Sequence, residues 1–310
     1  MLKKIIVIGG PTCSGKTEFS IELAERFGGE IVNFDSMCFY KYFDIGTAKP
    51  DAEERKRAVH HLIDIKYPDE EYNARMFSED AEKLIDDIAL RGKIPIFTGG
   101  TGLYIKALIY GLSPIPEIDK TVFREKASEL IKEKGLPFLY ETVKQTDPAY
   151  ASKISPSDTQ RITRAYEVYC ATGKPLSFYI NKNPFGKNRY DFLCFNLYPP
   201  KDYLKSCIME RTSAIIKKGL VEETKKILGM GYETGLKPFK GIGYMESLMY
   251  LNKELPSEKT LYDKIVSSTL KYAKRQFTFF KKFENALPVY FTDLNAKIEF
   301  SSKYIERFLE

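Results

Sequence analysis

The rhythm of apolar and polar positions changes several times along this 310-residue chain. The first third carries four short apolar runs, at residues 5–8, 30–34, 62–65 and 94–98. Runs of this length, bounded by glycine and polar residues, predict buried strands. Between them, residues 16–27 and 75–90 space their apolar side chains three and four apart, which predicts amphipathic helices. Strand and helix alternating in this way imply a parallel sheet with helices on its faces.

The pattern shifts at "GLSPIPEID", residues 111–119, where two prolines interrupt it. The next stretch reads as helix to about Thr172, broken at Gly135-Leu136-Pro137 and at Ser155-Pro156-Ser157, and ends in the loop-like "NKNPFGKN" at 181–188. Residues 190–198 resume a buried strand, which Pro199-Pro200 stops. Residues 201–284 are again mostly helical, 287–293 form a late strand, and a helix closes the chain. The expected fold class is α/β. Residues 1–116 and 188–310 supply a parallel-sheet core, and 117–187 supply a helical insertion.

Directly after the first apolar run stands "GGPTCSGKTEF". Gly10, Pro11, Thr12, Cys13, Ser14, Gly15, Lys16 and Thr17 fit the pattern G-x-x-x-x-G-K-[ST]. The context of strand, glycine turn and helix start makes this a phosphate-binding loop, and the core P-loop NTPase-like. Lys16 is placed to reach terminal phosphate oxygens, and the Thr17 hydroxyl to hold Mg²⁺. The loop alone does not specify what is attached to those phosphates.

Composition narrows the class further. With 43% hydrophobic and 29% charged residues the chain is of the soluble globular kind. It carries no apolar run of the roughly 20 residues that span a bilayer, and no secretory signal is expected at its start. Five cysteines, an odd number without C-x-x-C spacing, are expected to be reduced cytoplasmic thiols. The net charge of +6 is unevenly spread. Residues 1–116 hold 15 basic and 18 acidic side chains, 117–200 hold 13 and 10, and 201–310 hold 20 and 14. On charge alone, ordinary solvated lysines are the favoured explanation over a nucleic-acid partner.

Other residues carry candidate chemistry. Asp35 closes the second apolar run, at the rim where open α/β sheets bind ligands. It suits a general base, a ligand to Mg²⁺, or a helix N-cap. "FTGGTGLY", residues 97–104, is a second glycine-rich turn, with the Thr101 hydroxyl at its helix start. In "SDTQRITRAYEVY", residues 157–169, Arg161 and Arg164 share a helical face above an apolar stripe of Ile162, Ala165, Tyr166 and Tyr169. "LKYAKRQFTFFKK", residues 270–282, interleaves Lys271, Lys274 and Arg275 with Tyr272, Phe277, Phe279 and Phe280. This suits phosphate contact with base stacking, and equally a solvated basic helix face. His60 and His61, the two histidines, suit strand-end packing or capping better than a metal site.

In order along nearly the whole chain, "GPTCSGKT", "DSMCFYKYFDIGTAKP", "HHLIDI", "GGTGLYIKAL", "GLSPIP", "DTQRITRAYEVY", "ERTSAIIKKGLVEE", "GIGYMESLMYL" and "YAKRQFTFF" resemble the tRNA dimethylallyltransferase family. The resemblance implies that the loop holds the diphosphate of dimethylallyl diphosphate, which leaves as the allyl group moves to N6 of adenosine 37 beside the anticodon. It implies Asp35 as the acceptor of the amine proton and Thr101 at the reacting end. Lys16, Thr17 with Mg²⁺, and Arg211 would bear the charge of the leaving group. By the same resemblance, Asp35, Ser36, Met37, Cys38, Thr101, Arg124, Gln160, Arg161, Ile162, Thr163, Arg164, Lys240, Gly241, Ile242, Gly243, Tyr244, Met245, Lys274 and Arg275 meet the tRNA anticodon stem-loop. The resemblance further implies that the insertion grips the tRNA and that the protein is a cytoplasmic monomer. This chain departs from the family pattern at Cys38, where glutamine is usual, and near Phe279, where tryptophan is usual; it contains no tryptophan. An adenylate isopentenyltransferase shares the loop and the aspartate but needs neither the insertion nor the basic C-terminal helix. A P-loop kinase would instead release ADP from ATP, and a binding protein without chemistry would transfer no prenyl group.

Overall fold

The structure, a computed structural model, describes residues 2–47, 49–116, 118, 120–182, 188–283 and 285–310. The chain divides into two compact units, Met1–Ile109 with Arg189–Glu310, and Tyr110–Asn188. The first begins β1 (Lys4–Gly9), α1 (Lys16–Phe27), β2 (Gly29–Asn33), α2 (Ala52–Arg57), β3 (His60–His61), α3 (Ala74–Leu90), β4 (Ile94–Thr98) and α4 (Gly102–Tyr110). The second holds α5 (Lys120–Lys134), α6 (Leu136–Thr146), α7 (Pro148–Ala151), α8 (Thr159–Thr172) and α9 (Leu176–Lys182). The first unit then resumes with β5 (Asp191–Leu197), α10 (Lys201–Lys217), α11 (Leu220–Gly229) and a 3₁₀ turn at Lys237–Lys240. It ends with α12 (Tyr244–Leu251), α13 (Glu258–Lys281), β6 (Ala286–Val289) and α14 (Leu294–Leu309).

Six parallel strands form one sheet in the order β3-β2-β4-β1-β5-β6. Ile5, Ile6, Val7 and Ile8 of central β1 are all fully buried, as a strand covered on both faces requires. On one face, Phe19, Ile21 and Leu23 of α1 and Ile298 and Ile305 of α14 pack on Ile6, Ile8, Ile31, Ile96 and Phe195. A second core joins Tyr40 and Phe43 to the helices from α10 to α13. Within the insertion, Leu139, Val143, Ile162, Ala165 and Val168 make a separate core.

The sheet differs from the sequence expectation at one strand. Residues 62–65 are not extended, because Leu62 and Asp64 have φ of 59° and 58°, in the left-handed region that a strand excludes. The strand is His60–His61, immediately before that run, paired with Ile31 and Val32. His60 places Nδ1 2.8 Å from the Ala58 carbonyl, and His61 places Nε2 2.7 Å from Glu30. The late strand is also shorter than 287–293. The helical unit starts at 110 rather than 117 because Ile115 and Ile118 pack against its core. The apolar stripe of α8 runs through Val168; Tyr169 is exposed. Residues 183–187 of the "NKNPFGKN" loop lie outside the described residues.

Candidate active site

Three loops at the C-terminal ends of parallel strands build the site. The first follows β1. Gly10 has φ of 141°, and a Cβ there would lie 2.9 Å from the Leu197 carbonyl, so only glycine lets the loop pass β5. Cys13 is held at φ 62°. The Lys16 ammonium folds back to donate to the carbonyls of Gly10 (3.1 Å) and Pro11 (2.6 Å). Burial lowers its pKa to about 8, and nearby Asp35 pulls it partly back up.

The second loop follows β2 and carries Asp35. Buried Asn33 shapes it: its Oδ1 accepts from the Asp35 N–H, and its Nδ2 donates to the carbonyls of Asp35 and Leu62. Asp35 Oδ1 accepts from the Met37 N–H at 3.1 Å, and no cation among the described residues forms an ion pair with it. The third loop, Gly99 to Gly102, follows β4. A Cβ on Gly99 would lie 2.7 Å from the Asp35 backbone nitrogen, so the two loops touch through backbone. The Thr101 hydroxyl accepts from the Ser36 N–H and donates to the Ser36 hydroxyl.

Gln276 of α13 ties the first loop to the third. Its Oε1 accepts from the Thr12 N–H at 2.8 Å and its Nε2 donates to the Gly100 carbonyl at 3.1 Å, with the residue 4% exposed. From α10, Arg211 donates to the Thr12 hydroxyl at 2.9 Å and has no carboxylate partner among the described residues. Burial raises the pKa of the Tyr272 hydroxyl, and the neighbouring Thr101 acts in the opposite direction. The residue pattern does not single out Gln276 or Asn33. The usable signal is the four-residue spacing of Tyr272 and Gln276, which puts both on one face of α13.

Two chambers open from these loops. One, of about 240 Å³, is lined by Gly15, Lys16, Thr17, Cys38, His60 and Thr98. The other, of about 270 Å³, is lined by Ser36, Met37, Lys240, Gly241, Ile242, Tyr272 and Arg275. Thr12, Cys13, Asp35, Thr47 and Arg211 line both. The phosphate loop and a second space therefore meet at one carboxylate and one guanidinium. Cys38 stands on the phosphate side, buried, and desolvation pushes its thiol pKa up, so it packs as a neutral group.

The remaining residues singled out by sequence fall into three environments: the core, the exposed surface and the insertion. Gly243 and Tyr244 are buried, and the Tyr244 hydroxyl is committed to Glu223 (2.6 Å) and the Gly46 N–H (3.0 Å). Met245 and Lys274 are exposed and line neither chamber. Phe279 packs against Gly102, where a Cβ would meet its ring at 2.1 Å, so this ring fills the fold and is not a free stacking platform. In the insertion, Gln160 and Arg161 are exposed, Thr163 is half-buried, and Ile162 is a core residue. Arg161 pairs with Asp158 at 2.7 Å. Arg124 and Arg164 both bind the buried Glu167, at 2.9 and 3.3 Å. All five cysteines are free. No described helix is long and apolar enough to cross a membrane.

The fold and the paired chambers define a P-loop-type α/β transferase, with room for a second substrate beside the phosphate loop. Residues 38–283 match the family model described as IPP transferase, and residues 3–66 match isopentenyl transferase. The chain is 42% identical to a tRNA dimethylallyltransferase of Acetivibrio thermocellus, over 92% of this chain and 90% of that one. It is similar to the crystal structure of the tRNA isopentenylpyrophosphate transferase of Bacillus halodurans, with a TM-score of 0.73 and 32% identity over 99% and 97% of the two chains. A eukaryotic dimethylallyltransferase, solved acting on tRNA, aligns with a TM-score of 0.78 at 27% identity, over 98% of this chain and 80% of that one. This chain belongs to the IPP transferase family.

Proposed function

We propose that the protein transfers a dimethylallyl group from dimethylallyl diphosphate to N6 of adenosine 37, beside the anticodon of tRNA, releasing diphosphate. The observation that carries this reading is the junction of the two chambers at Asp35 and Arg211. A diphosphate on the loop would direct its allyl chain to the junction, where an adenine in the second chamber would meet it. N6 then bonds to the allylic carbon as the carbon–oxygen bond to diphosphate breaks. Asp35, free of cation partners, takes the amine proton. Lys16, Arg211 and the loop amides receive the charge that develops on the departing oxygen. Thr101 holds Ser36 beside that carboxylate. Filling both chambers with the two substrates would keep water from the reactive allyl carbon.

Among the described residues no three His, Cys, Asp or Glu side chains cluster as a metal site. The Thr17 hydroxyl in the phosphate chamber therefore fits a Mg²⁺ that is held largely by the substrate's own oxygens. When bound, Mg²⁺ would supply charge neutralisation on the leaving group. The acceptor base has to leave its stack, which costs a few kcal/mol and least in a loop, so an anticodon loop is a suitable substrate. Work in the cytoplasm accords with the five free thiols, and the same reading takes the protein as a monomer. The test is incubation with carbon-labelled dimethylallyl diphosphate and unmodified tRNA, then nucleoside analysis. Label on N6 of adenosine is expected; label on added AMP and none on tRNA would establish the free-nucleotide reading instead.

A further inference from the structure

Against the phosphate loop, and lining neither chamber, stands a lysine that the proposed reaction does not use. Lys297 lies in the first turn of α14, beyond residues 38–283 that match the IPP transferase family model. It is 5% exposed, which is rare for a lysine. Its ammonium donates to the Ser14 carbonyl at 3.3 Å, and a Cβ on Gly15 would lie 3.0 Å from the same nitrogen. Among the described residues no carboxylate lies within ion-pair distance of it. Asp293, the nearest influence of opposite sign, spends a carboxylate oxygen on capping α14 at the Ala296 N–H. Burial accordingly lowers the lysine's pKa. Beside it, the Ser14 hydroxyl is buried without a partner.

An unpaired buried ammonium is costly to a fold and calls for an anion. The position of Lys297 says which one. A trans peptide points its C=O and its N–H in opposite directions. Gripping the Ser14 carbonyl from behind therefore turns the Gly15 N–H away from Lys297, and Gly15 lines the phosphate chamber. A hydrogen bond to the carbonyl also polarises that peptide, which strengthens its N–H as a donor.

We propose that Lys297 is a positioning residue of the diphosphate site, fixing the Ser14–Gly15 peptide with its N–H toward the anion and lending the loop a positive charge from behind. The inference rests on the reading of the loop as a diphosphate site. It makes the C-terminal helix part of the binding machinery as well as part of the core.

The test is titration of the full chain with inorganic diphosphate in the presence of Mg²⁺, for the parent, Lys297→Met, Lys297→Gln and Lys297→Arg. Lys297→Met should raise the diphosphate Kd roughly tenfold, the scale of one charge-assisted hydrogen bond. Lys297→Arg should stay near the parent, and Lys297→Gln should lie between. With tRNA as acceptor, the KM for dimethylallyl diphosphate should rise more than kcat falls in Lys297→Met. Unchanged diphosphate affinity in Lys297→Met, with the fold intact by thermal melting, would overturn the proposal and leave the lysine as packing. If Lys297→Met does not fold, the Gln and Arg variants carry the test: parent affinity in both overturns it, and weakening in Gln alone supports it. A parent that binds no diphosphate overturns the reading of the loop itself.

Discussion

Asp35 in the core and Glu167 in the insertion are both carboxylates at element boundaries or on helix faces rich in basic sequence, and their surroundings are opposite. Glu167 is buried and held by Arg124 and Arg164. Asp35 accepts from one backbone N–H and has no cation partner among the described residues. The cations divide in the same way. Lys16 donates to carbonyls and Arg211 to a hydroxyl, whereas Arg161 is paired with Asp158. Charges that neutralise one another hold a fold together; charges left unpaired around a cavity wait for a ligand. Basic composition alone does not separate the two, which is why the charge count favours no partner.

The largest consequence falls on Asp35. Asp35→Asn keeps the shape and loses the basicity, so turnover should fall roughly 10²- to 10⁴-fold, the range of general base catalysis. Diphosphate affinity should change little. A loss of diphosphate and Mg²⁺ binding in this variant would move Asp35 from proton acceptor to metal ligand and erase its contrast with Glu167.

The unpaired Lys16 makes a prediction about pH. With a pKa of about 8 in the free protein, its ammonium is fully present below that value and is lost above it. The kcat/KM for dimethylallyl diphosphate, which reports the free enzyme, should be level below pH 8 and fall about tenfold per unit above it. Bound diphosphate favours the charged form, so kcat should hold to higher pH. A kcat/KM profile with no bend before pH 10 would show that the lysine's charge is not needed.

Gln276→Leu should lower kcat/KM about tenfold and cost about 1–3 kcal/mol of stability, because the Thr12 N–H and the Gly100 carbonyl both lose their partner. Kinetics and denaturant melts together check it. Loss of stability with parent kcat/KM would make the bridge a packing device only.

The smallest effects sharpen the contrast inside the insertion. Arg161→Ala, exposed, should weaken tRNA binding about threefold and reduce the salt slope by about one. Arg164→Ala should instead destabilise the insertion by about 1.5 kcal/mol, with the salt slope less affected, since its bond to buried Glu167 is lost. Equal effects of the two variants on the salt dependence would remove the distinction between a cation in an exposed pair and one bound to a buried carboxylate.

How far the chain can be read in advance of its fold depends on the range of the forces involved. The strands at 5–8, 30–34, 94–98 and 190–198 are legible because burial on both faces demands continuous apolar residues. The third strand is not, because two left-handed residues turn the apolar stretch after His61 into a loop, and nothing local announces them. The phosphate loop is legible because its chemistry lies within eight consecutive residues. Gln276 is not, because its two partners are 264 and 176 positions away. Arg124 and Arg164 read as cations in the sequence, and only the fold shows that both clasp one glutamate.

The central claim is that the phosphate loop holds a leaving group and that no phosphoryl group moves. Dimethylallyl diphosphate labelled with ³²P in its β-phosphate, turned over with unmodified tRNA, tests it most directly. Release of the label as intact inorganic diphosphate, in step with N6-modified adenosine, is the predicted result. Label attached to the RNA, or released as orthophosphate during turnover, would contradict it.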